Sequence, residues 1–485
     1  MQLKTKAQLS ALLGLLLPTL VSAETVLGVY VFHRHGDRTA KSTPPTKLTA
    51  LGAEQVHSSG EYYRSLYVAS NATSRIDGIS SDIAVNSQLN VVSPVDVVLQ
   101  NSGQAFLQGL YPPTTADVQV LADGETVQSV LGGYQYIPVN SLTTAATPSG
   151  AENDAWLQSG SGCAKAVASS NSYLASRDYL DTLESTRGFY QGLMPAINRT
   201  FKADAVNFKN GYAIYDLINV AQIHNASYPG RNLMTDSVLH QLSTRANQLE
   251  WNLAFNASEP VRAIAGATLA GQALRSLNAT LQKPASSPLV DVQFGAYATF
   301  SSFFGLVGLH EVSADFTGIV DYASSMAFEL VTNASVSSSA AAGGKAVVSP
   351  DDVSVRFRFV NGSASADRPL KAYPLFGNGE TLMSWSAFQS EMAKVAVVDT
   401  ARWCELCGPA SAGCAADATG TAGAVGAASG GSDDGITKPV AGVIGALVTL
   451  GLVLVAAGLL VGVGGLRLVK KQDLVPAPAS DKMSV

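Results

Sequence analysis

The spacing of hydrophobic positions changes several times along this chain, and each change marks an element. Thr25–His33 (TVLGVYVFH) is β-branched and aromatic with little alternation, the pattern of a strand buried on both faces of a parallel sheet. Residues 49–67 follow with amphipathic helical spacing, and Thr49 is placed to cap the helix. Helical patterns return at Asn101–Leu110, Asn232–Asn256, Pro260–Leu281 and Thr299–Leu309. Val353–Phe359 alternates as a strand does, and Met326–Leu330 is a second short strand pattern. Strands interleaved with helices predict an α/β fold with a mostly parallel central sheet flanked by helices. The helix-rich stretch 103–260 predicts a smaller helical lobe inserted beside that sheet.

The two ends depart from this pattern. Met1–Ala23 carries Lys4 and Lys6, then the apolar run Leu9–Leu20, then small residues up to Ala23. That order is the grammar of a secretory signal peptide, removed after Ala23. Residues 440–466 run 27 positions without a charge and are followed at once by Arg467, Lys470 and Lys471. As a helix they would reach roughly 40 Å, more than the ~30 Å of hydrocarbon to be crossed. The positive flank places residues 467–485 in the cytosol. Residues 408–439, almost all small or polar, read as a flexible stalk, which leaves 24–407 as the ectodomain. The expected topology is a single-pass type I protein of the secretory pathway, at the cell surface or the vacuole.

Two further features agree with that compartment. Seven Asn-X-Ser/Thr sequons, at Asn71, Asn198, Asn225, Asn256, Asn278, Asn333 and Asn361, all fall between the leader and the span. The four cysteines, Cys163, Cys404, Cys407 and Cys414, fall there too. A zinc site is the rival for Cys404 and Cys407, but no second ligand pair stands at metal spacing, so disulfides and no metal are expected. Of the three connectivities, the one expected pairs Cys407 with Cys414 across a short loop and Cys163 with Cys404. A net charge of -6 excludes a nucleic-acid binder.

Directly after the first strand stands Arg34-His35-Gly36-Asp37-Arg38. Open α/β sheets place ligand sites at the carboxyl ends of their strands. Two guanidiniums can grip phosphoryl oxygens, the glycine lets the backbone come close, and a neutral imidazole between them can attack phosphorus. A charged turn is the plainer reading, but this five-residue pattern arises by chance in fewer than about one such chain in a hundred.

With that motif the chain resembles the histidine acid phosphatase family, the branch that includes phytases. The resemblance extends over most of residues 25–407: Leu48-Thr49, Leu51-Gly52, Gln55 and Gly60; Ser102-Gly103-Gln104-Ala105-Phe106-Leu107; Arg262-Ala263-Ile264-Ala265-Gly266; Tyr322-Ala323-Ser324; and Trp403-Cys404 with Cys407. It implies a phosphoglycerate mutase-like sheet, no cofactor, small phosphorylated molecules as partners, His35 as nucleophile and Arg34 and Arg38 as phosphate ligands. It also exposes departures. A further phosphate-gripping Arg of the family falls at Val98, and its His-Asp acid pair falls at Tyr297-Ala298. Asp37 is a candidate acid. His310-Glu311 offers a superficial substitute but lies at the far end of the Thr299–Leu309 helix, roughly 15 Å away. His33 adjoins the motif as a candidate for the pocket wall, while His57, His224 and His240 stand alone. The expected function is phosphomonoester hydrolysis at reduced rate. The rivals are a non-catalytic phosphate-ligand-binding protein of the cell surface on the same fold and, further off, an adhesive ectodomain.

Overall fold

The computed structural model describes residues 24–142, 162–282, 286–338 and 346–409, with Ser411 and Cys414. The chain divides into Met1–Thr419 and Gly420–Val485, and every described residue belongs to the first unit. The leader, the 440–466 span and the 467–485 tail lie outside the described residues, as does nearly all of the stalk. Among the described residues no helix is long and apolar enough to cross a membrane.

The strands of the main sheet are β1 (Thr25–Arg34), β2 (Leu89–Pro94), β3 (Asn140–Leu142), β4 (Val290–Gly295), β5 (Ser325–Thr332), β6 (Val353–Val360), β7 (Lys371–Ala372) and β8 (Leu382–Ser384). Their order is β7-β6-β5-β1-β4-β2-β3, with β8 beside β6. β1, β4, β2 and β3 run parallel, whereas β5 and β6 extend the other edge antiparallel. The expected α/β class holds, with β1 at the junction of the two halves. Arg34 pairs with Gly295 in β4, so the two parallel strands end level. His33 pairs with Ser325 at the start of β5. Three chain segments therefore emerge at one end of the sheet, where the motif sits.

Among the described residues the helices of eight residues or more are α1 (Ala50–Tyr63), α2 (Val97–Leu110), α3 (Ala164–Tyr173), α4 (Arg177–Ser185), α5 (Gly211–His224), α6 (Asp236–Ala254), α7 (Ile264–Gln282), α8 (Tyr297–Leu306), α9 (Trp385–Val395) and α10 (Thr400–Cys407). β1 lacks alternation because both of its faces are covered. Tyr30 and Phe32 pack with Phe300, Phe303 and Phe328 on one side. Val29 and Val31 pack with Tyr63, Phe106 and Val292 on the other. Each such fully buried side chain contributes about 1.5–3 kcal/mol. α1 and α2 meet at glycines: a Cβ on Gly60 would lie 2.1 Å from the Phe106 carbonyl oxygen, and one on Gly109 2.1 Å from that of His57. α2 thus lies against α1, although its residues 103–110 fall in the stretch read as lobe. The lobe's own core is drawn from Tyr173 to Leu249.

The expected disulfide connectivity is overturned. Cys163 pairs with Cys407, Cα to Cα 4.7 Å, and Cys404 pairs with Cys414 at 5.5 Å. α10 decides this by burying Cys407 with Trp403, against Cys163 at the start of α3. Cys404 stays half-buried, and the chain turns at Gly408, φ 89°, to bring Cys414 to it.

Candidate active site

β1 delivers the motif to the end of the sheet, and the loop that follows is fixed by close backbone approach. A Cβ on Gly36 would lie 2.1 Å from the Gly52 carbonyl oxygen, and one on Gly52 2.0 Å from that of Asp37. Only glycine fits at either position, so the loop lies on the first turn of α1. Thr49 caps α1 by accepting from the Gly52 amide, and its own amide donates to the Asp37 carbonyl at 3.0 Å. The Asp37 amide donates to Gln55 Oε1 at 2.8 Å, and that of Gly36 to Ser102 Oγ at 3.3 Å. These are the residues that carried the family resemblance, and each has a backbone to hold.

His35 is 1% exposed. Its Nδ1 lies 2.8 Å from the Gly36 carbonyl oxygen. A carbonyl only accepts, so this contact puts the ring proton on Nδ1 and leaves the lone pair on Nε2. Burial, then the charges of Arg34 and Arg38, hold the imidazole well below its ordinary pKa. The ring is thereby held in its neutral form.

The two arginines are held differently. Arg34 Nη1 donates to the Val320 carbonyl oxygen, while Nε is buried with no hydrogen-bond partner among the described residues. Its guanidinium carbon lies 4.6 Å from the centre of the Tyr322 ring and 5.3 Å from that of Tyr297. Arg38 is paired with Asp216 of α5, Nη1 to Oδ1 3.0 Å, and its Nη2 donates to the Tyr212 hydroxyl at 3.2 Å. Asp216 also accepts from the Lys41 amide at 2.7 Å. An unpaired guanidinium nitrogen beside a neutral imidazole is a receptor for one anionic oxygen group.

Asp37 is fully buried. Its Oδ1 accepts from Thr49 Oγ1 at 2.5 Å and lies 2.6 Å from His224 Nε2, while Oδ2 has no partner among the described residues. The carboxyl thus ties the loop to the cap of α1 and the last turn of α5. Val98, in the first turn of α2, is buried and brings no charge. Tyr297 and Ala298 open α8, and the Tyr297 hydroxyl donates to Glu250 Oε2 of α6 at 2.8 Å.

His33 does not line the pocket. It is wholly buried among Tyr63, Phe106 and Phe294, with Nε2 2.8 Å from Ser59 Oγ. His310 lies half-buried against Trp251 and Phe255, 4.0 Å from Glu311, on the wall of a cavity of about 1190 Å³ that no motif residue lines. The sequence does not single out Asp216, leaves His224 standing alone and passes over Glu250; the structure sets His224 Nε2 2.6 Å from Asp37 Oδ1. They stand 178, 187 and 47 residues from the partners they meet, on ordinary helical patterns, and no local signal marks them. Among the described residues no cluster of His, Cys, Asp and Glu could hold a metal ion.

The sequence profile of the histidine phosphatase superfamily, branch 2, matches residues 42–357. No protein of curated function matches the chain. The Hafnia alvei phytase in complex with tartrate is similar in structure at a TM-score of 0.51 and 12% identity, over 78% of this chain and 98% of that one. The same phytase in complex with myo-inositol hexakis sulphate gives 0.50 and 14%, over 78% and 98%. At these identities the likeness is one of fold.

Proposed function

Because the chain belongs to the histidine phosphatase superfamily, branch 2, we propose that it hydrolyses phosphomonoesters through a phosphohistidine formed on His35. The observation that carries this reading is the His35 tautomer: Nδ1 is spent on the Gly36 carbonyl, and Nε2 is left as the nucleophile beside two guanidiniums. Nε2 attacks phosphorus, the bond from phosphorus to the ester oxygen breaks, and the leaving oxygen takes a proton. Water then attacks the phosphohistidine, the P–N bond breaks, and inorganic phosphate leaves with His35 restored. Arg34 and Arg38 stabilise charge on the phosphoryl oxygens throughout. No cofactor enters the scheme.

The substrate is a small molecule with a single phosphate. Among the described residues the charges of Arg34, Arg38 and Lys41 act on His35; Asp216 neutralises Arg38, the Tyr322 ring stands against His35, and Tyr297 and Tyr212 lie beside the arginines. That balance suits one phosphate dianion rather than a polyphosphorylated inositol. Turnover is lower than in a site with the full family set, because Val98 brings no charge and no His-Asp pair stands at the head of α8. The test is phosphatase assay of the purified protein against a single-phosphate ester and an inositol polyphosphate, with His35→Ala as control. Turnover of the polyphosphate alone would contradict the substrate class.

A second reading is favoured by enclosure. His35 and Arg38 are each 1% exposed, so a phosphate ligand held there is shielded from water. On that reading the protein binds a phosphorylated ligand without turning it over. Calorimetric phosphate binding without His35-dependent turnover would establish it.

The protein is proposed to enter the secretory pathway and to be anchored by residues 440–466. None of the seven sequon asparagines is buried, which suits glycosylation. A mass shift on endoglycosidase treatment and a cytosolic reporter fused after Val485 are expected. A reporter exposed outside the cell would reverse the orientation.

A further inference from the structure

We propose that Tyr297, fed by Glu250, is the proton donor to the leaving group, in place of the family's His-Asp pair. The inference rests on the phosphomonoesterase reading above. Tyr297 is the first residue of α8, where the family resemblance sets that pair, and its hydroxyl is bonded to Glu250 Oε2 at 2.8 Å. The Tyr297 ring stands 5.3 Å from the Arg34 guanidinium and 4.9 Å from the Tyr212 ring, and the Tyr212 hydroxyl accepts from Arg38. The Tyr297 ring therefore stands beside Arg34 and, through Tyr212, next to Arg38, the two arginines assigned to the phosphate above, with the Glu250 carboxyl bonded to its hydroxyl.

The environment suits a proton store. Glu250 sits in α6, faced by Tyr297 of α8, Tyr212 of α5 and Lys41 of the loop after β1. Loss of solvation pushes its carboxyl above the ordinary value, while the bond from Tyr297 and the charge of Lys41 pull it back. Burial and the nearby Glu250 hold the Tyr297 phenol well above its own ordinary value, so it stays protonated. With Glu250 protonated, the bond between them reverses: the carboxyl O–H donates to the phenol oxygen, and the phenol O–H is released toward the ester.

The proton balance closes over one cycle. As His35 Nε2 bonds to phosphorus and the ester P–O bond breaks, the electron pair on the leaving oxygen takes the Tyr297 proton. The Glu250 proton moves to Tyr297, leaving a carboxylate. In the second step water attacks phosphorus and the P–N bond breaks. One water proton returns through Tyr297 to Glu250.

The test measures kcat for the full-length protein on 4-nitrophenyl phosphate, whose leaving group needs no proton, and on glycerol 2-phosphate, whose alkoxide does. Glu250→Gln and Tyr297→Phe are each expected to lower the alkyl rate by about 10²–10⁴ and the aryl rate by less than about tenfold. The basic limb of the alkyl pH profile should disappear in Glu250→Gln. Glu250→Asp, which keeps the carboxyl, should recover part of the alkyl rate, and thermal unfolding of each variant separates misfolding from lost chemistry. Equal losses on both esters, or none on either, overturn the proton-donor role while leaving the phosphatase reading intact. Turnover that survives His35→Ala, or none in the unmodified protein, overturns the underlying reading and this one with it.

Discussion

The Asp216 carboxylate holds the Arg38 guanidinium at 3.0 Å, with 1% of the arginine and 3% of the aspartate side chain exposed. The pair joins the motif loop to α5 and so fixes the helical lobe to the sheet at the active site. Removing one partner of a buried pair leaves a bare charge and costs about 3–5 kcal/mol. Asp216→Ala is therefore expected to lower stability by that amount in urea unfolding and to weaken phosphate binding. Asp216→Asn, which keeps the shape, should cost less. An Asp216→Ala protein as stable as the unmodified one would remove Asp216 from this role.

Gly36 and Gly52 approach so closely that a methyl group on either meets backbone. Gly36→Ala is expected to push the loop off α1, abolish activity and lower the unfolding midpoint. Ala40→Gly, in the same loop but away from the approach, serves as the comparison. A Gly36→Ala protein with full activity would show that the contact is not needed.

Acid should destabilise the fold through His33. Burial lowers its pKa from 6.5 to about 4, so the unfolded chain binds a proton there that the folded one refuses. Stability from this group is complete above about pH 6.5 and falls as pH drops toward about 4, by about 3 kcal/mol in all. His35 is shifted in the same direction and adds to the effect. Denaturant unfolding at pH 7 and pH 4.5 measures the loss, and His33→Gln should shrink it. A stability unchanged by acid in both proteins would contradict the neutral buried imidazole.

Peptide mapping without reduction should return Cys163 linked to Cys407 and Cys404 linked to Cys414. The first link closes a separation of 244 residues, for which the chain-entropy model gives about 5 kcal/mol. Cys163→Ser is expected to destabilise far more than Cys414→Ser, whose link spans 10 residues. Equal effects would argue against these pairings.

The fold was legible wherever one segment carried its own signal. The unbroken apolar run of β1, the Thr49 cap and the RHGDR motif each state their structure locally, and they predict the sheet and the place of the site. Val98, Tyr297 and Ala298 are marked as departures by the family resemblance alone. What could not be read was pairing over distance. Asp216, His224 and Glu250 are three acids and bases among many on helical faces, and only the packing of α5 against the loop and of α6 against α8 selects them. The cysteine pairing failed for the same reason: the spacing of Cys407 and Cys414 does not reveal that α10 turns Cys407 inward. His33 looked like a pocket residue from its position, yet the alternation of β1 sends it into the core.

The central claim is a covalent phosphohistidine on His35. Rapid acid-free quenching during turnover of a phosphorus-labelled aryl phosphate, followed by peptide mapping, measures it directly. The expected result is a base-stable, acid-labile label on the peptide containing His35, absent in His35→Ala. Turnover with no label on that peptide, or a label that persists in His35→Ala, would contradict it.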